Sequence, residues 1–241
     1  MMAATLERDI FEAQLWRCDV DQYQLMHDMG WFDKTRVELI EGLILRKNDV
    51  DEFGYPRPFQ WTVNHYYQMA ELGWFEGSRV ELIEGEIISM SPMLSRHATA
   101  VTKTGDTLRL AFGAGFFVRT QLPLHLGFHS EPEPDVAMIA GVPGDFRDAH
   151  PMAAALVVEV SDSTLPGDRL RKANIYARAG LDEYWIVNLI DSQLEVHHAP
   201  VEMPDQPSGY GYADIKIFKP GEMVVPLAAP HTMIAVTDLL P

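Results

Sequence analysis

Between residues 155 and 161 apolar side chains run almost unbroken: Ala155, Leu156, Val157, Val158 and Val160. A short run this rich in β-branched residues predicts a strand covered on both faces. Glu159 interrupts it and, because side chains alternate, shares its face with Val157 and Ser161. An isolated carboxylate there is costly and must be paired, protonated or bound to a metal. Upstream, Leu94, Ala98, Val101, Leu108 and Phe112 recur at helical spacing. They predict a helix over 94–112, ended by Gly113 and Gly115, with Gly105 as its weak point. Strands are expected at 116–120, at 123–126 and, after Pro134-Asp135, at 136–139. Downstream of 155–161 a polar turn leads to a helix from Asp168, read as its N-cap, to Ala179, stopped by Gly180. Residues 183–189 and 194–198 read as a strand and its hairpin neighbour. The tail from 210 to 240 alternates well enough for further strands, with a turn at Pro220-Gly221.

The N-terminal third carries an internal repeat. Residues 21–44 align without a gap on 64–87, sharing one tyrosine, one methionine, Gly-Trp-Phe, Arg-Val-Glu-Leu-Ile-Glu-Gly and a final isoleucine. Each copy reads as a short helix, the Gly-Trp-Phe step, a strand, a turn at Glu-Gly and a return strand. Residues 47–60 are rich in charge, proline and glycine and read as a linker. The expected division is an N-terminal extension over 1–50, a linker over 51–60 and a main domain over 61–241. Strands separated by helices, with hairpins at both ends, predict an α/β domain on a mixed sheet.

Composition narrows the partners. The chain has 241 residues and a net charge of −16, from 19 basic and 35 acidic side chains. That opposes indiscriminate adhesion to nucleic acid or anionic membrane, so nucleic-acid binding needs a local basic patch or a bound cation. The single cysteine, Cys18, leaves no disulfide framework or cysteine zinc site. The first residues lack a signal-peptide pattern and no apolar run is long enough to span a bilayer, so a cytoplasmic protein is expected.

Three acidic positions sit on or beside predicted core strands: Glu81, Asp135 and Glu159. Lys172, on the following helix, shares a face with Ile175, Tyr176 and Ala179 and can point at the sheet. Converging carboxylates suit Mg²⁺ or Mn²⁺, which want hard oxygen ligands. The structural alternatives are a plain ion pair for Glu159, a strand or turn cap for Asp135 and a solvated lysine at 172. Glu81 recurs as Glu38 in the first copy, so it has a structural reading as well. His97, near a helix start, can approach the site but reads better as a surface or capping residue, and His197-His198, at a strand end, read as surface residues. Asp162 and Asp168 can support the site's ligands but read better as caps. The two Trp-Phe pairs read as core or interface anchors.

Pro134-Asp135 followed by Glu159-Val160-Ser161 resembles the PD-(D/E)XK nuclease superfamily. More closely, five segments in order resemble the Uma-type family of restriction endonucleases: 79–87, 133–137, 156–164, 168–180 and 183–187. The resemblance covers roughly residues 60–241. It implies a restriction-endonuclease-like core, a mixed central β-sheet flanked by helices with extra β-hairpins. It further implies Asp135 and Glu159 as metal ligands, Glu81 as an additional acid and Mg²⁺ or Mn²⁺ as cofactor, in an endonuclease acting on nucleic acid, most naturally DNA. One departure stands out: the superfamily's lysine position, two after the second acid, holds Ser161, and Lys172 takes that role. A catalytically inactive interaction module on the same fold is the alternative. Val37, Leu39, Ile40, Leu43 and Ile44, with Trp31 and Phe32, need cover, from the sheet of their own chain or from a second subunit, and of the two a homodimer using residues 1–50 is the expected one. Arg169, Arg171 and Lys172 form the expected patch for nucleic acid.

Overall fold

The computed structural model describes residues 15–206 and 208–241. They form two compact units: the described residues up to Ser91 together with Gly127–Glu131, and Pro92–Leu126 together with Pro132–Pro241.

In the first unit both copies of the repeat fold as the pattern predicts. Helix α1 (Val20–Asp28) opens on a capping box in which Asp19 and Gln22 exchange hydrogen bonds. Strands β1 (Val37–Ile40) and β2 (Leu43–Val50) form a hairpin turning at Glu41 and Gly42, both at positive φ. A short strand β3 (Pro56–Pro58) adds to β2. The second copy repeats this with α2 (Val63–Glu71), β4 (Val80–Ile83) and β5 (Glu86–Ser89), turning at Glu84 and Gly85. The stretch expected to be a linker is therefore largely ordered. Its polar side chains belong to exposed positions of β2, and only 51–55 is a turn, held by Asp51 accepting from the Phe53 and Tyr55 amides.

The two copies pack about an internal two-fold. Adding 43 to a residue of the first copy gives its counterpart in the second, as 21 gives 64. Trp16 N donates to Ile87 O at 2.8 Å, and its counterpart Phe59 N donates to Ile44 O at 2.8 Å. Cys18 N reaches Gly42 O, as Trp61 N reaches Gly85 O. Each lead-in segment thus ties its own hairpin to that of the other copy. Both turn glycines are needed for this approach: a Cβ on Gly42 would lie 2.8 Å from Arg17 Cβ, and one on Gly85 would lie 2.9 Å from Gln60 Cβ. Trp31 and its counterpart Trp74 meet at 6.1 Å, inside a cluster with Phe32, Phe59 and Trp61. The apolar face that suggested a second subunit is thereby largely covered within one chain: Phe32, Val37 and Ile44 are buried against the second copy.

The second unit is built on a six-stranded mixed sheet. Its strands are β6 (Phe116–Arg119), β7 (Val136–Ala140), β8 (Leu156–Ser161), β9 (Glu183–Asn188), β10 (Gln193–Glu202) and β11 (Tyr210–Phe218). They lie in the order β11-β10-β9-β8-β7-β6, with β8 and β9 parallel and the other neighbours antiparallel. Residues 123–126 form no strand. Pro123 has no N–H to give a ladder, and the Leu124 and His125 amides go instead to Pro132 O and Pro151 O. Alternation gives the sheet two unlike faces. Val158, Val160, Val136, Met138, Trp185, Val187, Leu194 and Val196 point to one side. There α3 (Ser95–Phe112) and the C-terminal residues Val224, Ile234, Val236 and Leu239 bury them. Helix α3 runs through Gly105, whose missing side chain lets it lie against β6: a Cβ there would sit 3.7 Å from Val118. The opposite face is mixed: among Val157, Tyr184 and Ile186 it carries the buried polar side chains Glu159, Ser161, Asn188, Glu195 and His197.

His197 corrects its reading as a surface residue: it is 3% exposed, between the rings of Tyr184 and Tyr212. Its Nε2 has no hydrogen-bond partner among the described residues. Burial pulls its pKa from 6.5 to about 4, so between those values the unfolded chain binds the proton that the folded chain refuses. Stability is therefore full above about pH 6.5 and falls as the pH drops towards 4, by about 3 kcal/mol for this group alone. His197→Phe should flatten that part of the stability-pH curve in chemical denaturation; a curve as steep as that of the parent would show that other groups carry it. His198 is half-buried and meets Glu183 Oε1 at 3.0 Å.

Candidate active site

Glu159 stands on β8, every residue of which is buried. Its carboxylate is met from the helical stretch that follows. This stretch consists of a single turn at Leu165–Gly167, a π-helical turn at Asp168–Lys172 and α4 (Ala173–Arg178). Tyr176 donates its hydroxyl to Glu159 Oε1 at 2.7 Å, and Lys172 Nζ lies 3.0 Å from the same oxygen. The two donors are four residues apart on the helix, the spacing that brings side chains to one face. A π turn inserts one residue into a helix and often marks a functional site.

Asp135 precedes β7 and is cross-linked to Glu159 through the backbone. Its amide donates to Glu159 Oε2 at 3.3 Å, and its Oδ2 accepts from Val160 N at 2.8 Å. Oδ1 is held by Gln121 Nε2 at 3.0 Å and His97 Nε2 at 3.2 Å. Burial alone would raise the Asp135 pKa. The His97 contact, the Val160 amide and Gln121 outweigh it and hold the carboxyl below its usual range. For His97, desolvation favours the neutral ring, but Asp135, with Asp168 and Asp162 further off, wins and raises its pKa. His97 is thus no surface residue: it touches the carboxylate expected to bind metal.

Asp168 is not an N-cap. It lies inside the helical stretch, buried, accepting from Ser161 Oγ and Thr164 Oγ1 at 2.7 Å each. Burial raises its pKa, against the opposing charge of Lys172. Ser161 therefore anchors Asp168 four residues before Lys172, at the position where the superfamily pattern has lysine. Asp135, Glu159 and Lys172 are brought together as the sequence suggested. Glu81 belongs to the first unit, buried on β4 opposite Ile88, whereas its counterpart Glu38 is half-exposed near Lys47. Tyr176 and Gln121 were not legible as contacts of these carboxylates, and for His97 the approach to the site was the less favoured of the sequence readings.

The donor chemistry fits a hard divalent cation. Two carboxylates stand side by side, and Mg²⁺ commonly takes one or two, filling its other positions with water and substrate phosphate. Among the described residues no group of three or more His, Cys, Asp or Glu side chains is arranged to hold a metal.

The expected basic patch is altered. Arg169 gives a bidentate pair to Glu195, with Nε to Oε2 at 2.9 Å and Nη2 to Oε1 at 2.6 Å. Burial pushes the Glu195 pKa up, but Arg169, Asn188 and Gln193 together hold it below its usual value. Arg169→Ala is accordingly expected to lower the melting temperature by a few degrees and to leave the salt slope of any nucleic-acid binding unchanged. A flattened slope at parental stability would return Arg169 to the substrate.

The sequence profile of the Uma2 family, described as "Putative restriction endonuclease", matches residues 63–236, well over half of the chain. No curated protein matches it. Among solved structures, the chain is similar to a "putative nuclease belonging to DUF820" from Anabaena variabilis. The TM-score is 0.51 and the identity 17%, over 66% of this chain and 88% of that one. At that identity the likeness speaks for the fold. Among the described residues no helix is long and apolar enough to cross a membrane.

Proposed function

The chain belongs to the Uma2 family, and on that premise we propose that it is a metal-dependent endonuclease whose centre is the Asp135–Glu159 pair. The observation that carries the proposal is the cross-linked geometry of the two carboxylates. They are buried, joined through the Asp135 and Val160 amides, and faced by Lys172. Asp135 and Glu159 would hold Mg²⁺ or Mn²⁺. Bound there, the ion would polarise the scissile phosphodiester and acidify an attached water. The chain's own residues do the rest. His97 and Gln121 fix one Asp135 oxygen and the Val160 amide orients the other. Tyr176 holds Glu159 from the helix side. Lys172 stabilises the charge developing on phosphate, or orients the attacking water. Water adds to phosphorus as a bridging P–O bond breaks, leaving a phosphate monoester and an alcohol. The family resemblance alone carries Glu81 as a proposed additional acid, and Glu81→Gln is expected to slow cleavage.

The proposed substrate is DNA and the proposed compartment the cytoplasm, where a buried reduced Cys18 is at home. The homodimer remains part of the proposal, although the second copy of the repeat covers Phe32, Val37 and Ile44 of the first within one chain.

A second reading, a nuclease-fold interaction module without activity, is favoured by one observation: Lys172 already neutralises Glu159 within the chain. Incubating plasmid DNA and labelled RNA with the protein in Mg²⁺, in Mn²⁺ and in EDTA separates the two. Cleavage in metal that EDTA stops supports the nuclease. Its absence, together with no thermal stabilisation by either ion, supports the module.

A further inference from the structure

The internal two-fold of the first unit is broken at one place. The hairpin of the second copy is gripped along its outer edge by residues 128–131. Val63 N donates to Phe128 O at 2.8 Å, Gly85 N to His129 O at 2.7 Å, and Glu131 N to Leu82 O at 2.7 Å. Glu84 N donates to the Ser130 hydroxyl oxygen at 3.0 Å, and the Tyr67 hydroxyl donates to Glu131 Oε1 at 2.7 Å. Glu131, β4, β5 and Leu15 thus lie side by side as four neighbours. The first copy has β1, β2 and β3 in the last three of those places. Among the described residues nothing pairs with the outer edge of β1.

The four main-chain groups that grip the segment in the second copy have counterparts 43 residues earlier: Val20 N, Gly42 N, Leu39 O and Glu41 N. Divergence of side chains cannot remove them. The turn that aims them is the same, with φ of 49° and 81° at Glu41 and Gly42 against 52° and 81° at Glu84 and Gly85. Leu39 faces Ile44 as Leu82 faces Ile87, so its N–H and C=O point away from β2 as those of Leu82 point away from β5. Apolar side chains flank the open edge: Val20 is 69% and Ile40 46% exposed, where Ile83, the counterpart of Ile40, is 1% exposed. An exposed edge of this kind is a template for strand addition.

We infer that the outer edge of β1 is a docking site for an extended peptide of another protein, of the kind that Phe128–Glu131 represents. The peptide adds antiparallel to β1, with a small hydroxyl at the turn; the side chain beside Val20 is unconstrained, since Phe128 is 84% exposed and meets Val63 through its carbonyl. Recognition comes chiefly from the main chain, as in other strand additions. The acid at its last position is likewise little constrained, because Gln24 stands where the second copy has Tyr67.

The test uses the full chain and a fluorescent, end-capped peptide Leu-Gly-Phe-His-Ser-Glu, the sequence of residues 126–131, followed by anisotropy. Saturable one-to-one binding is expected, weakened at least tenfold by Ile40→Lys and by Val20→Lys, two exposed positions that leave the near-ultraviolet spectrum unchanged. N-methylation of the peptide's glutamate, which removes the N–H aimed at Leu39 O, should weaken binding equally. Absence of saturation at millimolar peptide overturns the inference. So does binding indifferent to both lysine variants, since the peptide would then sit elsewhere or exchange with residues 128–131 on β4.

Discussion

Replacing Glu159 with glutamine is expected to abolish phosphodiester cleavage while the chain stays folded. Glutamine keeps an oxygen for the Tyr176 hydroxyl and nearly the same volume, so the packing of β8 survives. What disappears is the negative charge that would hold a divalent cation. Lys172 loses its closest partner but remains beside Asp168, whose ionisation it favours. Loss of at least about a thousandfold in rate is expected, in line with removal of a central charge from a catalytic site. Asp135→Asn should behave the same way. Rates measured on an end-labelled duplex decide the matter: a glutamine variant retaining a tenth of parental activity would remove Glu159 from the mechanism.

Lys172→Met should have the largest effect on stability. Glu159 is 3% exposed, and without Lys172 its carboxylate keeps the Tyr176 hydroxyl but loses the ammonium 3.0 Å from Oε1. Breaking such a pair from one side costs about 3–5 kcal/mol, because a buried charge is left uncompensated. For a chain of this size that lowers the melting temperature by roughly 10 °C. Adding Glu159→Gln to Lys172→Met should recover most of the loss, a non-additivity of about 2 kcal/mol or more. Denaturant titrations of the two single variants and the double variant check this. Additive losses would mean that the pair does not act as a unit.

These two predictions rest on features of unequal visibility in the sequence. The valine run around Glu159 announced both the strand and its problem, because a carboxylate among β-branched residues has few solutions. Lys172 was reachable for the same reason: its helical face also carries Ile175 and Tyr176, both buried. Tyr176 was legible only as a neighbour of Lys172 on that face, since nothing local says that its hydroxyl ends on a strand seventeen residues earlier. His97 and Gln121 were harder still. They come from a helix and a loop that meet Asp135 only when the sheet is assembled, and a lone histidine carries no pattern. Asp168 was misread for a physical reason: a cap and an internal, hydrogen-bonded acid look alike beside Thr164. The repeat was plain in the sequence, yet its consequence was not. Periodicity shows that Trp31 and Trp74 are equivalent, but it does not show that they face each other.

The central claim is that Asp135 and Glu159 share a divalent cation. Anomalous diffraction at the manganese edge, from crystals of the full chain soaked in Mn²⁺, addresses it most directly. The account predicts one strong peak per chain in contact with both carboxylates, lost in crystals of Asp135→Asn. A peak elsewhere, or none even with a bound DNA duplex, would contradict it.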